Sequence, residues 1–156
     1  LIKVVEKMQV KIKAFQQLTN TELFQIYKLR TKVFVVEQNC AYQEVDEDDL
    51  IAEHLQLINA QNKLVGYLRL IPEKLANQIR IGRVVVNPQF RGQGYGRTII
   101  TESLKYLRTI HPEITQVVIQ AQAYLVKFYG SFEFQATSDV YLDTGIPHQD
   151  MLLKLN

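Results

Sequence analysis

The segment that most constrains this chain is Asn87-Pro88-Gln89-Phe90-Arg91-Gly92-Gln93-Gly94-Tyr95-Gly96-Arg97. An apolar, strand-like run from Ile79 to Val86 leads into it, and an amphipathic, helix-like run from Arg97 to Ile110 leaves it. Glycines at alternate positions let the backbone turn tightly and approach a ligand with no Cβ in the way. The loop opens a helix, so its free N–H groups and the positive end of the helix dipole face whatever binds there. That combination makes an anion site, most often one for phosphate. Two familiar phosphate loops do not fit. No Lys follows the glycines, as G-x-x-x-x-G-K-[ST] requires, and the spacing Gly92, Gly94, Gly96 is not G-x-G-x-x-G.

A chain of 156 residues is expected to form one domain, residues 1–156, with a core of its own. Apolar residues make up 47% of it, which argues against disorder. A net charge of +2 is too small to suggest a nucleic-acid binder. One cysteine excludes an internal disulfide and fits a reducing compartment. No apolar run approaches the roughly 18 residues a membrane-spanning helix needs. Lysines and Glu6 interrupt the N-terminal segment, so it has no signal-peptide core. A cytoplasmic protein is expected, with no nucleic acid or membrane partner. Met8 could be the natural start, in which case residues 1–7 form an extension outside the fold.

Along the chain, Val10 to Phe15 alternates apolar residues with Lys and predicts a first strand. Thr19 or Asn20 can cap a helix whose apolar face holds Leu23, Ile26, Tyr27, Val33 and Phe34. The stretch from Asn39 to Glu53 is acidic and irregular. His54 to Asn59 and Leu64 to Ile71 predict a hairpin, and Ile79 to Val86 a central strand. The helix after the glycine loop stops at His111-Pro112. Gln116 to Ala121 predicts a further strand, Gln122 to Ser131 a helix, and Phe132 to Ala136 and Met151 to Leu155 the last strands. This order implies a mixed α/β (α+β) sheet with helices on both faces.

The loop fits the pattern [QR]-x-x-G-x-[GA] at Arg91, Gly94 and Gly96, and so resembles the acetyl-CoA diphosphate loop of the GNAT superfamily of N-acetyltransferases. Val84-Val85-Val86-Asn87-Pro88 resembles that family's strand-to-loop entry. Ala123 to Phe134 is similar to its later A-x-x-F-Y-x-x-x-G-F motif, with Glu133 where the family has Gly. Leu29 to Asp46, and Gly145-Ile146-Pro147-His148 followed by Met151, resemble the signatures of the ElaA-like subfamily. The resemblance implies a GNAT fold with a central, mostly antiparallel six- to seven-stranded sheet, split at its parallel pair to admit the cofactor. It implies an acyltransferase that moves an acetyl group directly from acetyl-CoA to a primary amine, without a metal. Family members often pair as homodimers. The rival from another class is a non-catalytic CoA-binding sensor or interaction module.

Acetyl transfer needs a neutral amine, a donor for the oxyanion and a proton for the departing thiolate. The resemblance assigns the donor to backbone amides of Val84, Val85 and Val86, and the proton to Tyr129. It assigns the diphosphate to Arg91, Gly92, Gln93, Gly94, Tyr95, Gly96 and Arg97. Packing beside Phe128 and Leu125 is the other reading of Tyr129. Two residues are candidates for the base. Glu37 ends the first helix near the irregular segment, and is otherwise a solvated or salt-bridged carboxylate. His148 has an ordinary pKa near ~6.5, suited to neutral pH, and is otherwise a surface loop histidine. His54 and His111 suit edge and turn positions. Arg30 either ties the acidic loop through a carboxylate or snorkels. Arg80 and Arg83 suit sheet-edge or structural roles. Seven of the sixteen acidic residues fall between Glu37 and Glu53. They form either a rim that attracts a cationic amine or a solvated loop. Cys40 has no base beside it in sequence and is not taken as a nucleophile.

Overall fold

A computed structural model of the chain describes residues 1–5 and 7–156. Strands β1 (Ile2–Val5) and β2 (Met8–Ala14) come first, then helix α1 (Asn20–Arg30), which continues as a π-helical turn over Thr31–Glu37. A short helix α2 (Asp48–Ile51) precedes β3 (Glu53–Ile58), β4 (Leu64–Pro72) and β5 (Gln78–Val86). Helix α3 (Tyr95–Ile110), β6 (Gln116–Gln122) and the short α4 (Val126–Gly130) follow. The chain ends with β7 (Gln135–Ala136), β8 (Tyr141–Asp143) and β9 (Ile146–Lys154).

Among the described residues the sheet has nine strands in the order β1-β2-β3-β4-β5-β6-β9-β7, with β8 paired to β9. All pairings are antiparallel except β5 with β6. This is the mixed, mostly antiparallel sheet that was expected, with more strands than six or seven. The additions are the two-residue β7, the three-residue β8 and β1, each too short or too polar to carry a periodic signal. Residues 2–5, expected to lie outside the fold, pair with β2 from Ile2↔Lys11 to Val5↔Met8. The predicted strand from Phe132 to Ala136 shrinks to Gln135–Ala136, because Phe132–Phe134 turns back onto Tyr129.

Each helix covers one face of the sheet. Thr19 caps α1 in a reciprocal box: Glu22 N–H donates to Thr19 Oγ1 at 3.1 Å and Thr19 N–H to Glu22 Oε1 at 2.9 Å. Ile26, Leu29, Val33 and Phe34 then pack on Tyr67 and Val85. On the other face Ile99, Ile100, Leu104 and Leu107 of α3 join the larger core with Leu57, Leu68, Leu70 and Ile81. Gly66 lets α3 come close, since a Cβ there would meet Ile99 Cγ2 at 3.2 Å.

His54 is not an edge residue. It is fully buried in β3, between β2 and β4, with Nδ1 2.6 Å from Tyr67 Oη and Nε2 2.8 Å from Asp49 O. Burial lowers its pKa against the pull of the Asp49 carbonyl.

Candidate active site

Strands β5 and β6 pair from Gln78/Gln116 to Ile81/Ile119. β5 then runs on to Val86 and β6 to Gln122 with no ladder between them. A bulge in β5 accounts for the opening. Between the pairs Tyr67↔Val85 and Arg69↔Gly82, the single residue Leu68 faces both Arg83 and Val84. Arg83 has φ +52°. Such a bulge bends and twists its strand, which carries the end of β5 away from β6. The gap opens into a cavity of about 780 Å³, lined by Gly82 to Val86 on one side and by Gln120 and Gln122 on the other.

The glycine loop closes one end of the cavity through Arg91 and Gly96. Asn87 anchors its entry: its N–H donates to Val65 O at 2.8 Å, its side chain donates to Leu64 O, and its Oδ1 accepts from Gln89 N–H. Gly92 and Gly94 have φ +78° and +82°, and a Cβ on either would meet nothing within 4 Å. Backbone conformation, not crowding, therefore selects glycine there. At Gly96 a Cβ would be in ordinary contact, 3.8 Å from Phe128 and Val86, so the open space lies at Gly92 and Gly94. The first amide of α3 to bond back is Thr98, which donates to Gly94 O at 3.1 Å. The amides of Tyr95, Gly96 and Arg97 precede it and have no acceptor within the helix. Open space, unpaired donors and the helix dipole together fit a diphosphate.

The predicted side chains do not all gather at one point. Tyr129 lies inside the cavity wall at 3% exposure, with ring contacts to Phe128 and Phe134. Its hydroxyl has no hydrogen-bond partner among the described residues, and burial pushes the phenol pKa up. It therefore keeps its proton at physiological pH. Glu37 lines the cavity too, but its Oε1 accepts from Arg91 Nη2 at 2.8 Å, with both side chains close to half exposed. His148 is half-buried in β9 opposite Gln122. Its Nδ1 is 2.7 Å from Ile146 O. A carbonyl only accepts, so Nδ1 carries a proton, and in the neutral ring the lone pair is then on Nε2. Arg97 stacks over Phe132, 4.4 Å from the ring centroid, and donates to Ser131 Oγ. The Glu133 backbone keeps the left-handed form that the glycine of the motif would take, at φ +75°.

The acidic segment is divided: Glu44 and Asp49 are buried, Glu47 is exposed, and Glu37, Asp46 and Asp48 line the cavity. Arg30, fully buried, donates from Nε and Nη2 to Glu44 at 2.6 and 2.9 Å and from Nη1 and Nη2 to Asp49 at 2.7 and 3.0 Å. Arg69 binds Asp46 and Asp49 at 2.6 and 2.9 Å. Burial would raise the Asp49 carboxyl pKa, but Arg30 and Arg69 outweigh it and hold it below the usual range. Arg30 thus ties the acidic loop down and does not snorkel.

Sequence reading missed the β8–β9 turn, where Asp143, Thr144 and Ile146 join the cavity wall. Thr144 (φ +51°) next to Gly145 (φ +79°) makes the turn, and that Thr-Gly pair was its available signal. Cys40, buried at the end of the π-helical turn, has its Sγ 3.6 Å from Thr144 O. No cluster of His, Cys, Asp and Glu suited to a metal occurs among the described residues.

A family model described as an acetyltransferase (GNAT) domain matches residues 14–155. A UPF0039 protein of Schizosaccharomyces pombe is 49% identical over 143 residues, covering 92% of this chain and 95% of the relative. The crystal structure of an acyl-CoA N-acyltransferase from Pseudomonas aeruginosa superposes with a TM-score of 0.86 at 40% identity, covering 93% of this chain and 98% of that one. Escherichia coli ElaA superposes with a TM-score of 0.84 at 33% identity, over 97% and 99% of the two chains.

Proposed function

Since this chain belongs to the GNAT acetyltransferase family, we propose that it transfers an acetyl group from acetyl-CoA directly to a primary amine. That it is an acyltransferase using an acyl-CoA follows from the family. The acetyl donor, the amine acceptor and the residue roles are our reading. One observation carries it: unpaired amides at the start of α3 open onto the gap between β5 and β6.

Acetyl-CoA supplies the acyl group activated as a thioester. In our reading the amides of Gly92 to Arg97 hold the diphosphate, and Arg91 adds charge. The strand-end backbone of Val84, Val85 and Val86, which has no ladder to β6, donates to the acyl oxygen as negative charge builds there. The attacking nitrogen must lose a proton. His148 is favoured over Glu37 for this step, because its Nε2 lone pair is free while Arg91 engages the Glu37 carboxylate. As the nitrogen–carbon bond forms and the carbon–sulfur bond breaks, Tyr129 gives its proton to the thiolate. Burial keeps that phenol protonated but also makes it a weaker acid, so the proton moves only as the thiolate forms. No helix among the described residues is long and apolar enough to cross a membrane. One free cysteine fits the reducing cytoplasm.

The test is a panel of primary amines assayed with acetyl-CoA for free-thiol release. At least one amine should release thiol in proportion to its acetylated product. Tyr129→Phe should lower kcat by ~10²–10⁴ while leaving acetyl-CoA affinity nearly unchanged. Equal turnover in the variant would return Tyr129 to packing. Acetyl-CoA at a hundredfold excess over its Kd should stabilise the fold by ~2.7 kcal/mol, and no thermal shift at millimolar acetyl-CoA would defeat the reading.

A further inference from the structure

We propose that Arg83 is a positioning residue for acyl transfer: its guanidinium, held by the Glu44 backbone carbonyl and by the carboxylates of Glu44 and Asp46, fixes the bulge that turns the end of β5 toward the cavity. This inference rests on the acyl-transfer reading above.

Arg83 occupies left-handed backbone in the middle of a strand, at φ +52°. A side chain with a Cβ disfavours that conformation and glycine accepts it freely. Left-handed residues of this kind persist only where the surroundings over-determine them. The surroundings here are polar. Arg83 Nη2 donates to Glu44 O at 2.7 Å and lies 3.4 Å from Asp46 Oδ2, and Nε is 3.3 Å from Glu44 Oε1. The guanidinium also stacks over Tyr42, 5.5 Å from the ring centroid.

Neither partner is free to move. Arg30 grips both Glu44 carboxylate oxygens, and Arg69 grips both Asp46 oxygens. The tether therefore runs from the buried end of α1, through the acidic segment, to the one stretch of β5 that has slipped its register with β4. That stretch is also where the ladder to β6 stops and where Arg83, Val84 and Val85 line the cavity. A merely structural arginine would stabilise the sheet. This one also sets where the Val84–Val86 amides point.

Calorimetric titration with acetyl-CoA and with CoA tests this without knowledge of the acceptor. Wild-type protein should prefer acetyl-CoA, because only acetyl-CoA carries the carbonyl the amides would meet. Arg83→Ala should reduce that preference by up to about tenfold, the worth of one hydrogen bond to the acyl oxygen, with CoA affinity kept. Arg83→Gly removes the backbone penalty along with the tether. It should melt no lower than Arg83→Ala yet lose the same preference, and it covers the case in which the alanine variant does not fold. Arg83→Lys should fall between wild type and Arg83→Ala. An Arg83→Gly protein with the full wild-type preference would overturn the inference, as would a wild type that binds both nucleotides equally. If wild type binds neither nucleotide, the acyl-CoA reading itself falls.

Discussion

Two charged regions border the cavity and put their polar groups to opposite use. In the knot of Arg30, Glu44, Asp46, Asp49 and Arg69, charged side chains pair with one another inside the protein. In the loop from Gly92 to Arg97, backbone donors at a helix start have no acceptor within the helix. In the first arrangement the fold fills most of the polar bonds, Arg69 Nε excepted, and makes a rigid support. The second leaves donors available, which is what an anion site requires. Abundance of charge therefore says little about function; the state of its partners decides.

The contrast can be broken most severely at its buried side. Arg30→Ala leaves Glu44 and Asp49 without their main counter-charge and should cost about 3–5 kcal/mol in urea unfolding. A loss below ~1 kcal/mol would mean that the knot is not a support. The next effect is in pH. The folded pKa of His54 lies below its unfolded value, so the unfolded chain takes up a proton first and stability falls as pH drops through the ordinary histidine range. Asp49 and Asp46 are also held below their usual range, so they add a further loss at lower, acidic pH. The unfolding free energy should therefore decline from pH 7 to 5 with a slope of up to about 1.4 kcal/mol per pH unit per proton, and the melting temperature with it. His54→Asn should flatten that part of the curve; an unchanged slope would point to another group.

Smaller effects belong to the exposed side. Glu133→Gly should relieve about 1–2 kcal/mol of left-handed strain, offset by about 0.4–1 kcal/mol of unfolded-state entropy. A net gain of up to about 1 kcal/mol in thermal denaturation is expected. Arg91→Ala removes a half-exposed ion pair and should change stability by less than about 1 kcal/mol. Its acetyl-CoA affinity should fall nonetheless. If stability fell and affinity held, the division between support and binding region would be reversed.

Legibility in the sequence followed the range of the forces involved. Thr19 and Glu22 sit three residues apart, so the start of α1 could be read locally. The spaced glycines gave away the loop for the same reason. Arg30, Glu44, Asp49 and Arg69 are distant in sequence, and nothing local separates a buried ion pair from a solvated acidic stretch. Arg83 carries no mark of its left-handed backbone, because that conformation is imposed by partners on another segment. Of the two candidate bases, Glu37 came first on paper for its place at the end of the first helix, and His148 second. The hydrogen bond from His148 Nδ1 to Ile146 O and the ion pair between Glu37 and Arg91 set them apart.

Local chemistry in the sequence thus determined the strand–loop–helix around the spaced glycines, the helix cap and the alternation of strand and helix, because each depends on neighbours within a turn or two. The tertiary structure alone decided that β5 and β6 part after Ile81, that Glu44 and Asp49 of the acidic segment are buried and which side chains share the cavity. Those outcomes depend on charges and backbone groups brought together from remote segments, and their energies exist only once the chain has closed around them.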